Sequence, residues 1–246
     1  MKNPIATSRK SAALFGAAAL ALTLIGTILR IINLYFNFEI EVGYYYSSAI
    51  LVDIMHVFFL LSVIGIGILA LVMVKKISLQ AVDGEKDPTA KVLLCFLGIA
   101  ALVYIVAKSY FDVYFALNSP NKILLHMACL AAMFLFLTIA RLHIGALKEK
   151  SYLFFLASTV FLSGVYAIPS IYFCIISKIY REYTYLYFDI FIFAVFIFAM
   201  AKLIALVLAK KPVITIEPTE ETDGALENTD VAPSETENTA ENTEEE

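Results

Sequence analysis

Apolar residues fall into six long runs, and short segments between the runs carry most of the charge. The runs cover residues 12–34, 48–74, 91–117, 122–146, 151–177 and 185–209. Each is longer than the roughly 20 residues that a helix needs to cross the hydrocarbon core of a bilayer. The pattern predicts an all-α fold: a polytopic integral membrane protein whose six-transmembrane-helix bundle spans residues 12–211. Residues 1–11 would form a cytoplasmic N-terminal segment, because the first run is too long for the apolar region of a signal peptide.

The chain changes character after residue 211. Residues 212–246 contain twelve acids and no Lys or Arg, and the tripeptide Glu-Asn-Thr occurs there three times. A segment with so few large apolar residues cannot bury enough surface to offset the entropy lost on ordering. We therefore expect a disordered acidic tail in the cytoplasm, with a charge that suits a basic cytoplasmic partner.

The distribution of Lys and Arg between alternate loops indicates the orientation. Twelve lie in the N-terminal segment, the 75–91 loop, the 141–150 turn and the residues after the last run, whereas the opposite loops carry three. Both termini are therefore expected in the cytoplasm, and the protein in the plasma membrane. The chain is 61% hydrophobic and only 16% charged, so the lipid bilayer is its main expected partner. Because the basic residues flank the spans, nucleic-acid binding is not needed to explain them.

Polar side chains inside the runs recur at helical spacing near the predicted outer ends. A charged side chain within a spanning helix costs about 2.5–3.5 kcal/mol, so it normally faces the bundle interior or a water-filled cavity. Counted inward from each run's outer boundary, these residues form one layer in the outer half of the bilayer. Lys108 and Asp112, four residues apart, are expected to pair along the third helix. The candidate ligand-binding residues are Arg30, Tyr46, Asp53, His56, Lys108, Asp112, His126 and Asp189.

Two interpretations of this polar layer remain open. It could line an outward-facing site for a small polar or cationic ligand, with the tyrosines of 44–46 as a lid. The protein would then be a small permease or a substrate-binding membrane subunit. Alternatively, the charges pair as interhelical contacts and the tyrosines form an aromatic belt. The protein would in that case be a non-transporting sensor or scaffold whose acidic tail binds a cytoplasmic partner.

Enzymatic chemistry has less support in the sequence. Asp53-x-x-His56 with His126 offers mixed nitrogen and oxygen ligands, but single dispersed histidines favour hydrogen-bonded side chains over a metal. The chain contains no Gly-x-Ser-x-Gly turn, P-loop or dinucleotide-binding fingerprint. We therefore assign no catalytic residue, no metal and no cofactor, and an intramembrane enzyme is the third hypothesis.

Small residues recur along one face of the first helix. Ala13, Ala17 and Ala21 are spaced four apart, with Gly16 beside them, and such spacing allows close helix packing. In this motif, in size and in topology, the chain resembles the substrate-binding S-components of energy-coupling-factor vitamin transporters. The resemblance implies six helices, cytoplasmic termini and a binding cavity on the outer side.

Overall fold

The structure, a computed structural model, is almost entirely helical in the part of the chain that it describes. That part comprises residues 4–40, 42–46, 49–73, 89–112, 119–144, 149–178, 180 and 185–208. The helices are α1 Pro4–Phe36, α2 Ile50–Met73, α3 Thr89–Tyr110, α4 Pro120–His143, α5 Glu149–Ile176 and α6 Leu186–Leu208. All six are long and apolar enough to cross a membrane, which confirms the six predicted helices. The predicted acidic tail at 212–246 lies outside the described residues.

Most helix boundaries differ from the predicted runs, and the differences at α1, α2 and α3 affect the N-terminal segment or a candidate residue. Helix α1 begins at Pro4 and so extends back through most of the predicted N-terminal segment. Proline is well tolerated in the first turn of a helix, where its missing N–H would have no helical acceptor. Helix α3 ends at Tyr110, so Asp112 lies beyond it. Helix α2 begins at Ile50, and Tyr46 precedes it.

A short β-hairpin joins α1 to α2, which the all-α prediction missed. Strands β1 Phe38–Glu39 and β2 Tyr44–Tyr45 are antiparallel, with Phe38 opposite Tyr45. The turn between them uses Gly43 at φ 75°, a left-handed conformation that glycine adopts without steric cost. A two-stranded hairpin is marginal alone, and a hydrogen bond from Ser119 Oγ to the Gly43 carbonyl, 2.7 Å, ties this one to the start of α4. We call this end of the bundle the hairpin end.

Helix α5 is the central helix of the bundle. In its most apolar stretch 72% of residues are buried, against 50% for α4 and 17% for α3. It packs against α1, α2, α4 and α6, whereas α3 packs on α4. Helix α5 also has the lowest mean hydropathy of the six, 1.8. This follows from its buried hydroxyl residues, among them Thr159, Ser163 and Ser170, which face other helices.

Two glycines allow α1 and α5 to approach closely. A Cβ atom on Gly164 would lie 2.6 Å from Thr23 Cγ2, and one on Gly26 would lie 2.8 Å from Val165 Cγ2. Real Cβ atoms do not approach other carbon atoms so closely, so a larger residue at either position would require the neighbouring side chains or the helices to shift. The contact brings the polar face of α1 against α5. By contrast Ala13, Ala17 and Ala21 are exposed, so the small-residue face predicted for packing lies on the surface.

Candidate functional site

Arg30 is fully buried near the hairpin end, where it joins three helices. Its Nη1 donates to the carbonyl oxygens of Val165 and Tyr166 in α5, at 2.6 and 2.5 Å. Its Nη2 donates to Asn121 Oδ1 in α4, at 3.1 Å, and to Ser170 Oγ in α5, at 3.2 Å. The guanidinium therefore links α1, α4 and α5 through four hydrogen bonds.

Pro169 explains why this arginine bonds to the backbone of α5. Proline has no N–H, so the carbonyl of Val165, four residues earlier, has no helical donor. Arg30 supplies that donor, and Ser170 Oγ adds a bond of 2.8 Å to the neighbouring Tyr166 carbonyl. Hydrogen bonds from a charged donor are about twice as strong as neutral ones. The Val165 carbonyl thus gains a donor, and the buried Arg30 guanidinium gains an acceptor.

Asp189 lies on the other side of Tyr166 and is 1% exposed. The Tyr166 hydroxyl donates to Asp189 Oδ1 at 2.8 Å, and Cys174 Sγ lies 3.7 Å from Oδ2. The Arg30 guanidinium carbon is 5.0 Å from the Tyr166 ring centroid, a cation–π contact. Within the described residues no ion pair joins Arg30 to Asp189 directly, so Tyr166 links the two charges. We call Arg30, Asn121, Tyr166, Ser170 and Asp189 the Arg30 cluster.

Two tyrosines outside helices α1 to α6 border this cluster. The Tyr180 hydroxyl donates to Ser170 Oγ at 3.5 Å, and burial raises the pKa of Tyr180. Burial also raises the pKa of Tyr45, and the nearby Arg30 guanidinium partly offsets that effect. Both hydroxyls are therefore protonated at neutral pH and act as uncharged hydrogen-bonding groups.

A cleft of about 430 Å³ lies between α2 and α4. Helix α2 packs on α1 and α5, and helix α4 packs on α3 and α5. The space that remains between α2 and α4 has Leu162 of α5 at its base. Its polar lining residues are Tyr45, His56 and Asn121, all towards the hairpin end. Its deeper walls are apolar and include Phe59, Leu60, Val63, Leu124 and Met127. We call this space the α2–α4 cleft.

Asn121 connects the α2–α4 cleft to the Arg30 cluster. Arginine has donors only, so the bond from Arg30 fixes the amide with Oδ1 towards the guanidinium and Nδ2 away from it. That Nδ2 donates to no residue in the described part of the chain. His56 likewise makes no hydrogen bond to a described residue, and its ring lies edge-on to Tyr45 at 6.0 Å between centroids. The hairpin end of the cleft therefore carries two polar side chains, Asn121 and His56, that have donor groups without a described acceptor.

Four of the eight candidate residues are exposed: Tyr46, Asp53, His56 and Lys108. Of these four, only His56 lines the α2–α4 cleft. The Tyr46 hydroxyl donates to Glu39 Oε2 at 2.7 Å, and this bond raises the pKa of Tyr46. The predicted pairing of Lys108 with Asp112 along a helix is wrong, because α3 ends at Tyr110 and Lys108 has no ion pair with any described residue.

Two further candidates lie between α3 and α4. His126 Nε2 and Ser109 Oγ are 2.7 Å apart, which matches the expectation of a hydrogen-bonded histidine. The carbonyl of Asp112 accepts a bond from Lys122 Nζ at 3.2 Å. Of the eight residues, the structure thus brings together Arg30 and Asp189 in one buried cluster, with His56 at the adjoining cleft. The remaining five lie elsewhere, so the eight do not form one continuous layer.

Sequence reasoning missed Asn121. It is the second residue of α4, directly after Pro120, and an asparagine there reads as an ordinary residue at a helix start. Its importance comes from contacts with α1 and with the cleft, neither of which is local in sequence. Tyr166 and Ser170 lie four residues apart on one face of α5, but their partners Asp189 and Arg30 come from α6 and α1.

Comparison of this chain with models of known protein families, with curated proteins and with solved structures found no match.

Proposed function

We propose that this chain is an integral membrane protein that binds a small ligand, as a permease or as the substrate-binding subunit of a transporter. Membrane insertion is supported by the large apolar side chains on the surface of the helices. Leu24, Leu60 and Leu97 are 62, 63 and 66% exposed, and extended apolar surface of this kind requires lipid or protein to cover it. The bilayer is the partner that fits all six helices at once.

The observation that carries the ligand-binding proposal is the connection between the α2–α4 cleft and the buried guanidinium. Small-molecule sites are typically concave, mostly apolar and furnished with a few placed polar groups. The cleft has this composition, and Asn121 connects it to Arg30, because the Asn121 side chain lines the cleft and accepts a hydrogen bond from the guanidinium. We assign the ligand site to Tyr45, His56 and Asn121, with Arg30 as the charge behind them. Asp53 and Lys108, exposed on the surface, are outside this site.

Ligand binding predicts a rise in thermal stability. The purified chain in detergent is heated with a panel of carboxylates, amines, sugars and vitamins, and the unfolding midpoint is recorded. A ligand that binds only the folded state at 100 times its Kd stabilises it by about 2.7 kcal/mol. We expect one class to raise the midpoint, and His56→Leu to abolish the rise. Lys108→Met, which alters an exposed cation at the same end of the bundle, should retain it.

An identical rise in the wild-type and His56→Leu proteins would place the ligand elsewhere and contradict the assignment. A ligand that passes this test is then examined in proteoliposomes. Uptake by the chain alone would identify a permease, whereas binding without uptake would favour a binding subunit. The absence of any midpoint shift across the panel would favour the sensor or scaffold hypothesis.

We further propose that the hairpin end faces outward from the plasma membrane, with both termini in the cytoplasm. The support is the excess of Lys and Arg in the segments at the opposite end. Val42 and Ala90 are exposed residues near the two ends of the bundle, so each is replaced singly by cysteine. In intact cells, a membrane-impermeant maleimide should label Val42→Cys and should label Ala90→Cys only after permeabilisation. The reverse pattern would invert the orientation.

A further inference from the structure

We infer that the α2–α4 cleft binds a single-chain amphiphile drawn from the bilayer, with a headgroup that accepts hydrogen bonds at Asn121 and His56. This inference rests on the proposed ligand-binding function and names the class of ligand. It differs from the polar or cationic ligand expected from the sequence, because the cleft combines a long apolar part with donors at one end.

The apolar part of the cleft fits an alkyl chain. From His56 to Val63 the cleft follows α2 for two turns, which corresponds to roughly 10 Å along the helix axis. Over this length its walls carry apolar side chains such as Phe59, Leu124 and Met127. A wholly polar ligand would leave these walls in contact with its polar atoms, at a cost of several kcal/mol per unsatisfied polar group. An alkyl chain makes only favourable contacts there.

The cleft is open at the side of the bundle. Leu60 and Met127, on its two walls, are 63 and 45% exposed. In a bilayer these edges face lipid, so a ligand can enter sideways from the membrane without crossing the hairpin. An amphiphile dissolved in the bilayer can use this lateral route, whereas a ligand from the aqueous phase would have to enter from the hairpin end.

The polar end of the cleft selects the headgroup. The Asn121 amide turns Nδ2 away from Arg30, and His56 has no hydrogen-bond partner among the described residues. Both can donate, and the buried Arg30 guanidinium supplies positive potential behind them. A carboxylate, phosphate or carbonyl is stabilised in such a place, whereas an ammonium group would face a cation. A long-chain carboxylate is the simplest molecule that meets both requirements.

The test is photolabelling of the full chain in phosphatidylcholine nanodiscs with a palmitic acid that carries a mid-chain diazirine. Adducts are located by mass spectrometry after proteolysis. We expect them to concentrate on the cleft segments of α2 and α4, and unlabelled palmitate to compete. Val63→Trp, which fills the cleft, should lower this labelling at least five-fold. Ile64→Trp is the matched control, because Ile64 is 50% exposed on the adjacent face and does not line the cleft.

Leu124→Trp fills the cleft from α4 and serves as a second variant if Val63→Trp unfolds. Equal labelling in Val63→Trp and Ile64→Trp, or adducts spread over all exposed helix faces, would show ordinary surrounding lipid and overturn the inference. A diazirine-bearing hexadecane without a headgroup should label the cleft segments less than the palmitic acid does; equal labelling would show that the headgroup assignment is wrong. The chain could also show localised labelling that palmitate competes away, yet move no ligand in proteoliposomes. That combination would support the amphiphile site and reject the permease.

Discussion

Arg30→Met is expected to cause the largest loss of stability of any single substitution near the site. The variant leaves the Val165 carbonyl without a donor, because Pro169 cannot supply one, and leaves Asn121 Oδ1 without its partner. A buried polar group that loses its hydrogen bond costs about 1–3 kcal/mol, so we expect a loss of roughly 2–4 kcal/mol. This outweighs the relief from removing a buried charge, since the acceptors remain buried.

The measurement is reversible unfolding in mixed micelles titrated with sodium dodecyl sulfate. Lys108→Met is the matched control: it also removes one cation near the hairpin end, but from an exposed side chain. Its effect should stay within about 0.5 kcal/mol, as is usual for surface substitutions. Arg30→Lys should be intermediate, because an ammonium group is a single donor centre and cannot reproduce the forked geometry of arginine.

A double-mutant cycle with Pro169→Ala tests the cause of this effect. Alanine at residue 169 restores an N–H four residues after Val165, so the carbonyl regains a helical donor. The loss caused by Arg30→Met should then be smaller in the Pro169→Ala background, with an interaction energy of about 1 kcal/mol or more. Strictly additive effects would show that Arg30 stabilises the bundle in another way.

Gly164→Ala is expected to have the second largest effect. The added methyl group would lie 2.6 Å from Thr23 Cγ2 and 2.9 Å from Phe196 Cε2. The helices must separate or side chains must move, and overpacking of this kind costs about 1–3 kcal/mol. Because the crossing of α1 and α5 also positions Arg30, the variant should weaken ligand binding as well as stability.

Gly65→Ala is the control, since a Cβ atom at that residue meets nothing within 4 Å. Both glycines lie inside helices, so both substitutions gain the same helix propensity, up to about 1 kcal/mol. The difference between the two variants in the unfolding titration therefore isolates the steric contact. Equal stability of the two variants would show that α1 and α5 can separate without cost, and the close crossing would then not determine the site.

The Arg30 cluster and the cleft share Asn121, so a ligand in the cleft and Arg30 would bond the same amide group. A headgroup that bonds Asn121 Nδ2 polarises the same amide whose oxygen accepts from Arg30, and linked hydrogen bonds strengthen one another. An occupied cleft would therefore hold Arg30 more firmly on the α5 backbone. In the proposed binding mode, the stability of the cluster and the affinity of the cleft for its ligand are coupled through this one side chain.

The six helices could be predicted from the sequence alone, because a span of apolar residues long enough to cross a bilayer is a local property. The expectation that polar side chains recurring at helical spacing face the bundle interior holds in α1, where Thr23, Thr27, Arg30 and Asn33 are all buried. Helix boundaries that are set by contacts with other segments could not be predicted from the sequence. Tyr46 belongs to the hairpin because its N–H donates to the Asn37 carbonyl, a contact across the turn that hydropathy does not encode.

The partners of each polar residue were decided only by the tertiary structure. The sequence placed Arg30, Asp53, Lys108 and Asp189 at similar depths, and depth alone suggested that they meet. In the bundle, helix rotation turns Asp53 and Lys108 to the surface and buries Arg30 and Asp189. The sequence by itself determined the number of helices and the polar faces they carry. The rotation of each helix follows from side-chain packing between segments far apart in the chain. Only the tertiary structure therefore showed that Arg30 bonds the Val165 carbonyl, which Pro169 leaves without a helical donor, and that a cleft lies between α2 and α4.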